Sequence, residues 1–145
     1  MASKRIAGQP AYFASRKMDW ATPDCLWQRL DNLYRFDLDV AADASNARCT
    51  RYFGVHDDGL AQSWAGARVW CNPPYGRDIG LWVEKAASEQ DSAALIVMLV
   101  PSRTDTAWWH DAMRTARPEF LRGRLRFKGA ASSAPFPSAL LYWGL

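Results

Sequence analysis

The chain has 145 residues, 49% of them hydrophobic and 23% charged, with a formal net charge of +3; this is the balance of a single soluble domain with room for a substantial core. No apolar run reaches the length of a bilayer span and Met1 to Pro10 holds no secretory core, so a membrane or exported protein is not expected and a cytoplasmic one is. Cys25, Cys49 and Cys71 form no CxxC pair, and His56 and His110 lie far apart, so neither a disulfide framework nor a zinc site is expected.

Residues 1–17 are polar and basic and predict a loosely ordered N-terminus ahead of one domain over residues 18–145. Thr22-Pro23-Asp24 has the form of a helix start, with Thr22 as cap and Pro23 in the first turn. Leu26, Trp27, Leu30, Leu33 and Tyr34 then recur at helical spacing and predict a core-facing helix. Phe36 to Ala41 alternates, with Asp37 and Asp39 opposite Phe36, Leu38 and Val40, and reads as a strand. A carboxylate there is costly inside a sheet covered on both faces unless it is paired or lies at the strand's end.

The stretch from Asp43 to Asp57 has no strong period, and Arg68 to Cys71 is a short strand running into Asn72. Ile79 to Ser88 reads as a helix from Leu81, Trp82, Val83 and Ala86. Ala93 to Val100, the most apolar run, reads as a buried parallel strand ended by Pro101, with a helix around Trp108, Trp109 and Met113 after it. Phe120 to Lys128 alternates again and predicts a strand with Arg122, Arg124, Arg126 and Lys128 on one face. Ser138 to Trp143 is a last strand behind Pro135-Phe136-Pro137. Strands alternating with helices and closing on a strand pair describe an α/β domain, whose ligands bind beyond the carboxyl ends of the strands. Asp39, Asn72 and Ser102 are expected at that edge.

The most informative segment is Asn72-Pro73-Pro74-Tyr75, directly after a strand. Two prolines fix φ, remove two donors and hold the chain extended. The Asn72 side-chain oxygen and the Pro73 carbonyl can then converge as two acceptors, with the Tyr75 ring as a flat wall. Such a site suits a planar –NH2 group on a conjugated ring. Gripping its two hydrogens favours a pyramidal nitrogen, frees the lone pair and stabilises the positive charge that develops as the nitrogen attacks. An electrophile held in line completes the requirement, and S-adenosylmethionine meets it without a metal. The plain alternative is an ordinary Pro-Pro loop with Asn72 as a turn residue.

With the tetrapeptide placed after a strand, the chain resembles the amino-methylating DNA methyltransferases, and most closely the small phage-borne DNA adenine methyltransferases of Dam type. The resemblance rests on Trp20-Ala21-Thr22-Pro23, Phe36-Asp37-Leu38-Asp39-Val40-Ala41-Ala42, Asp58-Gly59-Leu60 with Trp64, Asn72-Pro73-Pro74-Tyr75-Gly76, residues 101–106, and Gly123-Arg124-Leu125 with Phe127. It implies a compact, shortened Rossmann-like sheet with helices on both faces and a C-terminal antiparallel strand pair. It also implies that Thr22 and Pro23 hold the methionine end of S-adenosylmethionine, that Asp39 with Ala41 behind it receives the methionine ammonium, and that Asp58 contacts the cofactor's adenine. Taken singly, Thr22 and Asp39 read equally well as helix caps and Asp58 as a turn aspartate; their joint order favours function. One departure stands out: Asp43-Ala44-Ser45-Asn46 replaces the expected glycine-rich turn, so no residue is assigned to the ribose.

Residues 101–145 carry 7 basic and 3 acidic side chains and residues 1–100 carry 11 and 12, an asymmetry that points to a polyanion near the C-terminal third. DNA is the expected partner, for a monomer or a homodimer in a bacterial host, with phage or prophage origin. Phosphate contact is one reading of Arg122, Arg124, Arg126 and Lys128, and a solvated sheet face is the other. Arg103 and Asp105 either position the base or pair with each other. A duplex adenine must be extruded, with Tyr75 as the stacking face and Phe136 as either the opposite wall or a core residue. Two rival functions keep the tetrapeptide: a glutamine-N methyltransferase, and a DNA-binding accessory protein with the fold but little turnover.

Overall fold

The computed structural model of the chain describes residues 20–144, and the expectation for residues 1–17 lies outside them. In chain order the elements are α1 (Asp24–Tyr34), β1 (Leu38–Asp39), β2 (Arg68–Cys71), α2 (Ile79–Glu89), β3 (Leu95–Pro101), α3 (Ala107–Ala112), β4 (Arg117–Phe120) and β5 (Ser138–Trp143). They form one five-stranded sheet in the order β1-β2-β3-β5-β4. β1, β2 and β3 are parallel, and β5 runs antiparallel between β3 and β4. Every residue of β3 and β5 is buried, as expected of strands covered on both faces.

The register shows which helix covers which face. Trp70, Val97 and Tyr142 are lateral neighbours, so their side chains share a face. Trp70 meets Trp27 and Tyr142 meets Tyr34, both on α1. Trp143 points the other way, where its indole N–H donates to Thr115 Oγ1 at 2.9 Å beyond the end of α3. Helix α2 packs on α3. Asp39 is the lateral neighbour of Trp70 and therefore lies on the α1 face.

Three local expectations need correction. Thr22 does not cap α1: Pro23 itself holds the cap position, at φ −59° and ψ 138°, with no side-chain cap bond, because the helix begins one residue later than the pattern suggests. Leu33 is 66% exposed, since the buried stripe is Leu26, Trp27 and Leu30 and Leu33 falls on its rim. Residues 121–128 are not a strand. The ladder stops where Leu121 N–H donates to the Ser138 carbonyl, because the next residue of the partner, Pro137, has no N–H to offer. Gly123, at φ 73°, then turns the chain away. Alternation survives without a partner strand: Phe127 is buried while Arg122, Arg124, Arg126 and Lys128 are exposed.

The chain between β1 and β2 is compressed rather than structureless. Tyr52 makes a parallel bridge to Asp39, with Asp39 N–H donating to the Arg51 carbonyl and Phe53 N–H to the Asp39 carbonyl, so residues 51–53 are a strand remnant on the sheet's edge. Gly59 then passes so close that an added Cβ would lie 2.0 Å from the Val40 carbonyl oxygen. Trp64 fastens this turn by donating its indole N–H to the Gly59 carbonyl at 3.0 Å.

Candidate active site

At the carboxyl end of β1 and β2 lies a cleft of about 310 Å³, whose walls include Thr22, Asp39, Ala41, Asn72, Pro73, Pro74 and Lys128. Residues far apart in sequence thus meet where the parallel strands end. Asp39 is 3% exposed. One carboxylate oxygen accepts from Ala41 N–H at 3.3 Å and the other from Arg48 N–H at 2.9 Å. Among the described residues no cationic side chain forms an ion pair with it. Burial outweighs the two backbone donors and pushes its pKa up to about 6.

Asn72 is the first residue past β2. Its amide nitrogen donates to the Trp20 carbonyl at 2.6 Å and to Thr22 Oγ1 at 3.0 Å. A carbonyl only accepts, so the side-chain orientation is determined: nitrogen toward Trp20, oxygen away. That oxygen, Oδ1, is buried with no hydrogen-bond partner. Pro73 and Pro74 continue the wall. Tyr75 does not present an open face: it is 3% exposed, its hydroxyl donates to the Leu99 carbonyl at 3.1 Å, and its ring meets Phe127 and Phe136 edge-on at 6.2 and 5.7 Å. Burial pushes its phenol well above the ordinary range, so it acts as a neutral ring.

The segment that carries Trp20 and Thr22 is pinned from two sides. The Arg48 guanidinium donates to the Thr22 carbonyl and bridges to Asp24 at 2.8 Å, while Lys128 N–H donates to the Ala21 carbonyl at 2.9 Å. A family model described as DNA N-6-adenine-methyltransferase (Dam) matches residues 12–138. The chain belongs to that family. Over 99 residues it is 33% identical to the DNA N-6-adenine-methyltransferase of Escherichia phage T1, an alignment covering 67% of this chain and 41% of the phage protein. Over 79 residues it is 36% identical to YfdM of Escherichia coli (strain K12), covering 48% of this chain and 86% of YfdM. The chain thus spans 41% of the length of the phage relative it matches.

In this Dam-family chain the residues present fit S-adenosylmethionine, the methyl donor that methyltransferases use generally. A carboxylate buried at the cleft without a cation suits an ammonium group, and an orphaned amide oxygen beside it suits the hydrogens of an amine. Other expected positions lie off the cleft. Pro23 caps α1. Asp58 sits in a left-handed turn at φ 54° and accepts from Leu60 N–H at 3.2 Å. Phe136 is a core residue packed on Trp20, Tyr75 and Phe127. The Arg103 guanidinium lies 5.6 Å from the Phe136 ring centroid and forms no ion pair with Asp105, whose side chain is exposed.

Sequence reasoning missed residues 45–48, which complete the cleft's wall. Asp43 Oδ1 accepts from the Ser45 and Asn46 N–H groups at 2.8 and 3.2 Å, and Asn46 Oδ1 accepts from Asp43 N–H at 2.8 Å. This reciprocal Asx turn takes the place of the missing glycines and delivers Arg48 N–H to Asp39. The Asp43-x-Ser45-Asn46 spacing was its only signal.

Proposed function

We propose that this chain transfers a methyl group from S-adenosylmethionine to the exocyclic amino nitrogen of adenine in DNA. The observation that carries the reading is Asn72 Oδ1, a buried acceptor with no partner on the wall of a cleft. A group like this is costly to leave unmade, and an amine hydrogen satisfies it. The bound cofactor supplies an electrophilic sulfonium methyl group. Asp39 receives the cofactor's ammonium, with Ala41 behind it at the methionine end. Asn72 Oδ1 and the Pro73 carbonyl accept the two hydrogens of the target amine, which localises the nitrogen lone pair and stabilises the cationic nitrogen formed on attack. Pro74 keeps the acceptors stiff. The extra proton leaves after transfer, so no prior base is needed.

Base extrusion brings the adenine to this edge, and stacking on Tyr75 requires the rings of Phe127 and Phe136 to move off it. Arg122, Arg124, Arg126 and Lys128 lie exposed on the segment that carries Phe127, where they bind phosphates; Arg103 and Asp105 flank the same edge. The protein acts as a monomer or homodimer in the cytoplasm of a bacterial host.

The test is incubation with tritiated cofactor and unmethylated DNA. Label enters DNA with the wild type and falls by at least about a hundredfold with Asn72→Ala. Label in protein alone transfers the reading to glutamine-N methylation, and cofactor binding without any transfer leaves a DNA-binding accessory protein.

A further inference from the structure

The Asn72 amide has two N–H bonds and both are spent inside the protein, one on the Trp20 carbonyl and one on Thr22 Oγ1. A terminal amide torsion is broad when nothing holds it. One bond leaves the group free to swing, whereas two acceptors from one short segment define its plane. Thr22 is 3% exposed, and with Pro23 at the helix cap its hydroxyl oxygen is available to accept from Asn72.

The segment is itself held. Arg48 donates to the Thr22 carbonyl and Lys128 N–H to the Ala21 carbonyl, so the two acceptors sit on a fixed shelf. Orientation decides the chemistry, because a turned amide would aim N–H donors at an amine that needs an acceptor. We propose that Thr22 is a positioning residue for methyl transfer, whose hydroxyl holds the Asn72 amide with Oδ1 facing the target amine. This rests on the methyl-transfer reading above. It differs from a cofactor contact at Thr22, which would be read in cofactor affinity instead of turnover.

The experiment compares wild type, Thr22→Val, Thr22→Ala and Thr22→Ser in the full chain. Valine keeps the shape and removes the acceptor, alanine repeats the test if valine fails to fold, and serine restores the acceptor. In the free protein, the side-chain amide protons of Asn72 exchange with solvent about tenfold faster in the valine or alanine variant than in wild type or Thr22→Ser. With DNA and cofactor, kcat falls between about tenfold and a hundredfold in the valine or alanine variant, cofactor Kd stays within about twofold, and Thr22→Ser recovers turnover. Unchanged exchange and kcat in the valine and alanine variants overturn the inference, as does a loss confined to cofactor Kd. A wild type that methylates no DNA overturns the functional reading and this inference with it; an active wild type with an equally active Thr22→Val overturns the inference alone.

Discussion

Asp39 is a carboxylate taken out of water and given two backbone N–H groups but no cation among the described residues. Its folded-state pKa of about 6 stands above the ordinary 3.8, with desolvation as the cause. The sign follows. Between pH 3.8 and about 6 the folded state binds more protons than the unfolded one, so the free protein loses stability as pH rises through that window and then levels off. A bound cation reverses the preference. Cofactor affinity is therefore expected to weaken as pH falls through about 6, approaching tenfold per unit below it; calorimetric titration between pH 5 and pH 8 checks this, and Asp39→Asn should bind weakly with no such slope. Asp39 and Asn72 were legible as residues because each closes a recognisable strand. Their electrical states were not, since these depend on Arg48 and Trp20, which are brought in from elsewhere in the chain.

At the scale of elements, β2, β3 and β5 match their sequence signals to within two residues because burial on both faces leaves apolar runs, and α2 does so because its buried Ile79, Trp82, Val83 and Ala86 recur at helical spacing. The segment 121–128 shows why pattern alone is insufficient. Its alternation is preserved in burial, yet strand formation requires a partner with donors, and Pro137 withholds one. The result is a basic outer face on an unpaired segment, attached through Lys128 to Ala21. Arg122→Ala with Arg124→Ala is expected to weaken DNA binding and to reduce the slope of log affinity against log salt by about 2, with cofactor Kd unchanged; fluorescence anisotropy on a labelled duplex at several salt concentrations decides it. The turn at Gly59 has the opposite character. Gly59→Ala places a methyl group 2.0 Å from a backbone oxygen, backbone cannot swing aside as a side chain can, and a loss above about 3 kcal/mol is expected in urea unfolding.

For the whole molecule, the α/β class and a cleft at the carboxyl edge followed from element order, since parallel strands ending together leave a crevice there. The shortened region between β1 and β2 was less legible. Its strand remnant and its Asx turn are held by bonds to β1 and within the loop, so they leave no periodicity to read. Neither was the packing of Tyr75 visible, because Phe127 and Phe136 approach it from the segment between β4 and β5 and from the entrance of β5. Helices on both faces bury the middle strands, residues 51–53 cover the outer side of β1, and the edge strand β4 is only four residues long, which limits the open hydrogen-bonding edge available for unwanted pairing.

Strand β5 stands between β3 and β4 although it comes after both in the chain. On a ribosome, residues 95–101 emerge with one flank unmatched, and that flank waits until residues 138–143 have been made and released. Until then Phe136, just ahead of β5, cannot join the rings of Trp20, Tyr75 and Phe127. The nascent chain therefore completes its sheet in one late step, which makes the interval of synthesis between β3 and β5 the period in which chaperones would matter most to it.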